Sequence, residues 1–477
     1  MSNILNEASA LKEFAVLIDF GSTYTKVALV NLTDEELIAR HQAVTTVKEN
    51  IMIGLKKAME FFSPAEQQLL ETGKKYACSS AAGGLRVIAV GLVPALTVEA
   101  ARRAALGAGA KIVDSFGYEL TDADLEKINK EACDLILLSG GVDGGNKEVL
   151  LHNSEMLSRI EKDIPFIVAG NRVVSGKAVE ILKAAGHFAV STENILPALD
   201  ELNVEPARQI IREIFMSRIV KAKGLDGAQQ YVGGIIMPTP MATLEAGRLL
   251  AEGTKHEAGI GELMIVEVGG ATTNVHSLAS GKSSKSSYVS KGLPEPFAKR
   301  TVEGDLGIRY NAMTILEKFG AETVLSNIPE KNHNVDILKL KERINYLSQN
   351  VGAIPENRDE SLIDTALARC AAATAVQRHA GIVTEVPTLQ GPTHILYGKD
   401  LTEIPTLIGA GGIFAYGEYP EAILQAALYD TSNPASLKPQ NPKFYIDKHY
   451  VLYGIGLLSS SYPDQALRIA KKYLQAL

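Results

Sequence analysis

Two stretches of this chain repeat one pattern, and few folds have a use for it twice. Residues 14–31, FAVLIDFGSTYTKVALVN, run from an apolar strand to Asp19, through the polar turn Gly21-Ser22-Thr23, and back into β-rich sequence from Lys26. Residues 264–278, MIVEVGGATTNVHSL, run from a strand to Glu267, through Gly269-Gly270 and Thr272-Thr273, into another strand. Each reads as a β-hairpin with a carboxylate at its mouth. Glycine lets the backbone approach an anion, and the flanking amides, with the hydroxyls of Ser22, Thr23 and Thr25, aim donors at it. Such a turn suits a phosphate with its metal ion. An ordinary Gly-Ser hairpin turn accounts for the first stretch about equally well; the second copy favours the phosphate reading.

Residues 405–416, PTLIGAGGIFAY, add an apolar strand running into Gly409, Gly411 and Gly412. Together these elements resemble the superfamily of actin, the heat-shock chaperone ATPases and the sugar kinases. The resemblance implies an α/β, two-domain actin-like ATPase fold built from duplicated ribonuclease H-like domains. One hairpin from each domain would grip the phosphates, and the third element would bind adenosine. Met237 stands where the chaperone branch carries a glutamate that positions the attacking water, which argues against fast hydrolysis by that route.

Composition suits such a fold. At 477 residues the chain is long enough for two or three domains. Its 48 basic and 55 acidic residues leave a net charge of -7, which speaks against a general binder of nucleic acid or anionic membranes. The acidic amino terminus lacks the apolar core of a signal peptide, and no apolar stretch reaches the roughly 18 to 20 residues of a spanning helix. Cys78, Cys133 and Cys370 are widely spaced in apolar or small-residue surroundings, as reduced thiols in a cytoplasm would be.

Along the chain, residues 50–73 predict helices broken at Ser63-Pro64, Lys74–Ser80 a strand and Ala81–Gly84 a turn. From 85 to 200, strands at Arg86–Gly91, Lys111–Asp114, Leu135–Ser139, Phe166–Ala169 and His187–Val190 alternate with helices. That is the pattern of a doubly wound βαβ domain. The expected domains are therefore 1–84 with 201–252, an inserted α/β domain at 85–200, and 253–477. Within the insert, LLSGGVDGGNK at 137–147 is a Gly-rich strand-to-helix turn that lacks GxGxxG spacing; a ligand or tight packing explains it comparably. AGNRVVSGKA at 169–178 fails as a P-loop, with Asn171 for the first glycine and Ala178 for the magnesium-binding hydroxyl. Leu199–Val220 reads as one or two helices, Gly233–Met237 as a strand and 241–252 as a helix; Lys282–Lys291 reads as a solvated loop. Pro294–Asn311, dense in charge and glycine, is either a solvated helix start or a border of the nucleotide with Arg300, Glu303, Asp305 and Arg309. Ile395–Tyr397 and Thr406–Ile408 read as the last core strands, before a helical carboxyl terminus.

DFGSTYTK at 19–26, LSGGVDGGN at 138–146, VGGATTNVHS at 268–277, RTVEGDLGIRYNA at 300–312, GKDLT at 398–402 and GAGG at 409–412, in this order, resemble the glutamate mutase accessory family. That family is the GlmL or MutL-type mutase component, distinct from the mismatch-repair protein of similar name. The resemblance implies a cytoplasmic, ATP-dependent chaperone that reactivates adenosylcobalamin-dependent mutases, with the mutase subunits as partners and no role for nucleic acid or membrane. It leaves a homo-oligomer open. It also implies roles by position. Asp19 and Glu267 would hold Mg2+ through water, with Gly21, Ser22, Thr23, Thr25 and Lys26 around the β- and γ-phosphates of ATP. Gly269, Gly270, Thr272 and Thr273 would clasp them from the other side, and Gly409, Gly411 and Gly412 would approach adenosine. Most relatives carry aspartate at the position of Glu267, and a carboxylate is common at that of Asn274. Two other readings use the same fold: a small-molecule kinase, and a non-hydrolysing assembly protein gated by nucleotide.

Overall fold

The structure is a computed structural model and describes residues 12–46, 49–80, 85–215, 226–233, 236–285, 287–388 and 391–477. The expected turn at 81–84, the end of the Leu199–Val220 helix and positions 234–235 of the expected strand lie outside these residues.

The described parts of Met1–Ala82, Val220–Gly259 and Val451–Tyr473 form one compact unit. Its sheet contains β1 (Phe14–Phe20), β2 (Tyr24–Asn31), β3 (Glu36–Val44), β4 (Lys74–Ser79) and β10 (Ile236–Pro238), in the order β3-β2-β1-β4-β10. The first three strands form an antiparallel meander, and β4 and β10 add in parallel. Helices Ile51–Met59 and Pro64–Thr72 follow, the second opened by Ser63 and Glu66, each bonding the other's backbone amide.

The second unit comprises the described parts of Gly83–Ile219, Ile260–Tyr450 and Leu474–Leu477. It holds β11 (Leu263–Val268), β12 (Thr273–Leu278), β14 (Ala298–Glu303), β17 (Thr406–Ala410), β18 (Lys443–Ile446) and β19 (Gln475–Ala476), ordered β14-β12-β11-β17-β18-β19. Here β14, β12 and β11 form the antiparallel meander while β17 and β18 add in parallel. Strand order and sense thus repeat those of the first unit, which is the α/β duplication the actin-like resemblance implies. The helix Arg358–His379, 22 residues long and lined with buried alanines, packs on the β11–β12 hairpin. A side sheet orders β13 (Tyr288–Lys291), β16 (Gly391–Tyr397) and β15 (Ile382–Thr388).

The unit's remaining sheet is wholly parallel: β5 (Arg86–Val90), β6 (Lys111–Phe116), β7 (Leu135–Leu138), β8 (Phe166–Val168) and β9 (Ala189–Ser191), ordered β6-β5-β7-β8-β9. This is the doubly wound sheet expected for 85–200, with its own apolar core.

The structure departs from the sequence reading in five places, one being that Tyr288–Lys291, inside the expected loop Lys282–Lys291, is the strand β13. The parallel sheet groups with the second unit, because the helix Glu99–Gly107 packs against β14 and Arg103 pairs with Glu295 at 2.8 Å. The helices Leu452–Leu458 and Pro463–Tyr473 return to the first unit, although 253–477 was expected to form one domain. Their return depends on two glycines: a Cβ on Gly456 would stand 1.8 Å from the carbonyl of Ala242, and one on Gly454 2.5 Å from Leu17. Ala298–Glu303 is a strand, where a solvated helix start was one of two readings. And β18 and β19 follow what had read as the last core strands.

Candidate functional site

The two hairpins superimpose in logic, residue for residue. Asp19 faces Lys26 across β1 and β2, and Glu267 faces Asn274 across β11 and β12. Each turn closes by the same bond, Gly21 amide to Tyr24 carbonyl at 3.1 Å and Gly269 amide to Thr272 carbonyl at 3.0 Å. A Cβ on Gly21 would stand 2.6 Å from the Tyr24 carbonyl, so the first turn requires glycine there. Among the described residues, the amides of Ser22 and Thr23 in one turn, and of Gly270, Ala271 and Thr272 in the other, have no protein acceptor. Ser22 is exposed and the other four are half-buried. Each turn is therefore a small cluster of free N–H donors beside a carboxylate, which is what an anion accompanied by a cation needs.

The carboxylates are held differently. Asp19 is 1% exposed; its Oδ2 accepts from Lys26 Nζ at 2.6 Å, and its Oδ1 from Thr239 Oγ1 at 2.7 Å and Cys78 Sγ at 3.5 Å. Lys26, expected beside the phosphates, is itself buried and bonded to this acid. Burial, and then the neighbouring Asp19, push the Cys78 thiol far up, so it stays protonated. Glu267 accepts from Asn274 Nδ2 at 3.0 Å and lies 3.7 Å from His276 Nε2. Burial pushes its carboxyl up, but His276, Asn274 and Arg300 outweigh that and hold it below the usual range. Arg300, 4% exposed, donates to Asn274 Oδ1 at 3.1 Å and is pushed down to about 9 by burial.

The long 300–312 block is the mould of the second turn. Ile308 donates its amide to the Gly269 carbonyl at 3.1 Å, and Arg309 and Tyr310 both donate to that of Gly270 at 2.9 Å. Asn311 Nδ2 donates to the carbonyls of Ala271 and Gly304, each at 2.9 Å, and Thr273 Oγ1 to that of Leu306 at 2.7 Å. Gly307 is glycine because its Cβ would lie 2.2 Å from the Ala271 backbone. With the turn's carbonyls engaged on this side, its amides are left for the other. Of the charged residues singled out here, Arg309 pairs with buried Asp364 at 2.6 Å, while Glu303 and Asp305 both pair with Arg378. Among the described residues the first turn has only Thr45 in this role: its Oγ1 donates to the Gly21 carbonyl at 2.8 Å and its amide to that of Thr23 at 2.9 Å. Sequence reading missed Thr45, Thr239 and Asn311, since each acts across a long separation.

Gly409 to Gly412 lie beside the second hairpin, with Ala410 in register with Glu267 on the parallel pair β11 and β17. Two of the three glycines answer to packing. A Cβ on Gly409 would meet the Phe414 ring at 2.4 Å, and Gly411, at φ +106°, would meet the Val268 carbonyl at 2.4 Å. Gly412 is exposed with open space around it, so it alone leaves room for a ligand's approach. Met237 lies on β10 in register with Cys78, whose thiol donates to Asp19.

Among the described residues no group of three or more His, Cys, Asp or Glu side chains could hold a metal directly. The donor set fits a hydrated Mg2+ instead, an ion that keeps several waters and needs one or two carboxylates to accept from them. Asp19 uses three of its roughly four lone-pair sites on protein donors, and Glu267 is the more accessible acid, its side chain 16% exposed. Among the described residues, no helix is long and apolar enough to cross a membrane.

Comparison with known proteins places these observations in a family. A family model described as MutL protein matches residues 15–474. The chain is 46% identical over 460 residues to Protein MutL of Clostridium tetanomorphum, covering 96% of this chain and 98% of that one. Among solved structures, a nucleotide-free acetone carboxylase is similar at 13% identity and a TM-score of 0.39, over 94% of this chain and 70% of the other. A nucleotide-free diol dehydratase-reactivating factor is similar at 10% identity and a TM-score of 0.35, over 94% of this chain and 100% of the other. Values this low say nothing about ligand or activity.

Proposed function

Since this chain belongs to the MutL protein family, we propose that it is an ATP-binding accessory protein that reactivates or assembles an adenosylcobalamin-dependent mutase. The observation that carries the nucleotide reading is the repeated turn: in each unit, free amides and an acid, buried in the first and half-buried in the second, stand at the end of a hairpin of the same topology. The mutase reading rests on the ordered motifs from DFGSTYTK to GAGG.

In this proposal the amides of Ser22 and Thr23 in the first unit, and those of Gly270, Ala271 and Thr272 in the second, are donors for phosphate oxygens of ATP. Asp19 and Glu267 are the acids that would hold a hydrated Mg2+ by accepting from its waters, and the ion would supply neutralisation of phosphate charge. Gly412 leaves room for the adenosine. No residue here is placed as a general base, and Met237 supplies none, so hydrolysis is slow unless the partner quickens it. Nucleotide does work on a partner only if it binds one arrangement of the protein better than another.

The test is recovery of a mutase inactivated by loss of its adenosyl group. Wild-type protein with Mg-ATP and free adenosylcobalamin restores activity, and Asp19→Ala does not; equal recovery with both rejects the mechanism. ATP turnover with and without mutase separates it from a non-hydrolysing assembly protein, whose turnover would be absent in both.

A further inference from the structure

The second hairpin has no lysine opposite its acid, and the cation it uses instead reaches elsewhere. Arg300 sits on β14, one strand further from the acid than Asn274, and its guanidinium is shared. Nη2 donates to Asn274 Oδ1 at 3.1 Å, which turns the amide so that Nδ2 faces Glu267 at 3.0 Å. Nη1 donates to the carbonyls of Leu106 and Ala110, both at 3.0 Å, at the carboxyl end of the helix Glu99–Gly107. There the helix dipole also favours a cation. The other end of that helix is bonded to the parallel sheet: Thr97 Oγ1 accepts the amides of Leu92 and Val93 at 2.8 and 2.9 Å, and the Thr97 carbonyl accepts from Ser139 Oγ at 2.9 Å. Ser139 opens the glycine-rich turn that runs to Lys147.

We propose that Arg300 is a positioning residue that couples the charge at Glu267 to the helix Glu99–Gly107, and through it to the glycine-rich turn 140–147 of the parallel sheet. Physically, the guanidinium fork must satisfy an amide oxygen, the helix carbonyl of Leu106 and the carbonyl of Ala110 just beyond the helix end at once. A change of charge or position at Glu267 moves Asn274, and the fork cannot follow without loosening its hold on the helix end. In the first hairpin, by contrast, Lys26 meets Asp19 directly, with no amide between them. The coupling itself is a property of the protein alone; only its use by nucleotide rests on the proposed function above.

The experiment is hydrogen exchange on the full chain, in two arms. Without nucleotide, Glu267→Gln changes exchange at residues 92–111 and 139–147 about tenfold, the scale of a lost hydrogen bond to a charged group. In an Asn274→Lys/Arg300→Met background, where the acid gains a direct cation and the bridge is gone, the same change has no effect there. Arg300→Lys keeps the charge without the fork and behaves like the bridgeless background. With Mg-ATP, wild type shows altered exchange in those segments and the double variant shows it only at the hairpin. An equal effect of Glu267→Gln in both backgrounds overturns the coupling. Absence of Mg-ATP binding to wild type by calorimetry overturns the function instead, and leaves the first arm standing.

Discussion

The two hairpins have one topology and two ways of being held. In the first, an acid and a lysine meet directly and are sealed from solvent, and a single threonine braces the turn. In the second, an amide stands between acid and arginine, and a moulded segment from Gly304 to Asn311 carries the turn's carbonyls. The difference teaches that a turn with free amides beside an acid can be kept while the brace behind it varies. What varies is how far the acid's electrostatic partner reaches. The arginine behind the second acid extends to the carbonyls of Leu106 and Ala110, at and just beyond the end of the helix Glu99–Gly107.

The largest effect should come from splitting the direct pair. Asp19→Ala leaves the Lys26 ammonium buried without its acid, and costs ~3–5 kcal/mol in urea unfolding; Asp19→Ala/Lys26→Met regains most of that stability but not ATP binding. Next, Gly307→Ala drives a methyl into the Ala271 backbone and costs about 1–3 kcal/mol, with weakened Mg-ATP binding. Gly304→Ala, whose Cβ would meet only the flexible end of Lys111 at 2.9 Å, leaves binding within twofold, on the order of a neutral surface change. If Gly307→Ala binds Mg-ATP like wild type, the moulded turn is not what presents the amides. Smaller again, Thr45→Val removes the brace of the first turn at about 1 kcal/mol, which is measurable by thermal unfolding.

The gentlest test is a slope. Lys399, wholly buried behind the second hairpin, donates to the carbonyls of Ala279 and Phe297 at 2.8 and 2.7 Å, and burial pushes it down to about 7. The unfolded chain binds that proton up to the ordinary lysine value, so stability rises with pH from about 7 toward about 10. Lys399→Met flattens this rise in urea midpoints; an unchanged slope would remove Lys399 as its source.

Much of this was legible in the chain. Apolar runs that stop at an acid, resume after glycine and recur once are a local signal, and they located both hairpins and the strand before Gly409. Alternating strands and helices likewise located the parallel sheet. What local pattern could not carry were partners distant in sequence. Thr239 reaches Asp19 across 220 positions and Asn311 reaches Ala271 across 40. The helical carboxyl terminus was legible, yet nothing in it named Ala242 or Leu17 as the surfaces that Gly456 and Gly454 approach.

The sequence by itself determined the repeated hairpin, because periodicity and turn chemistry act between neighbours. Only the tertiary structure decided that the 300–312 block is a mould and a strand, that Lys26 belongs to Asp19, and that Arg300 binds a helix end. Those outcomes depend on which buried charges and carbonyls the packed sheets bring within hydrogen-bond reach, and burial, which makes an unpartnered charge costly, is a property of the whole fold.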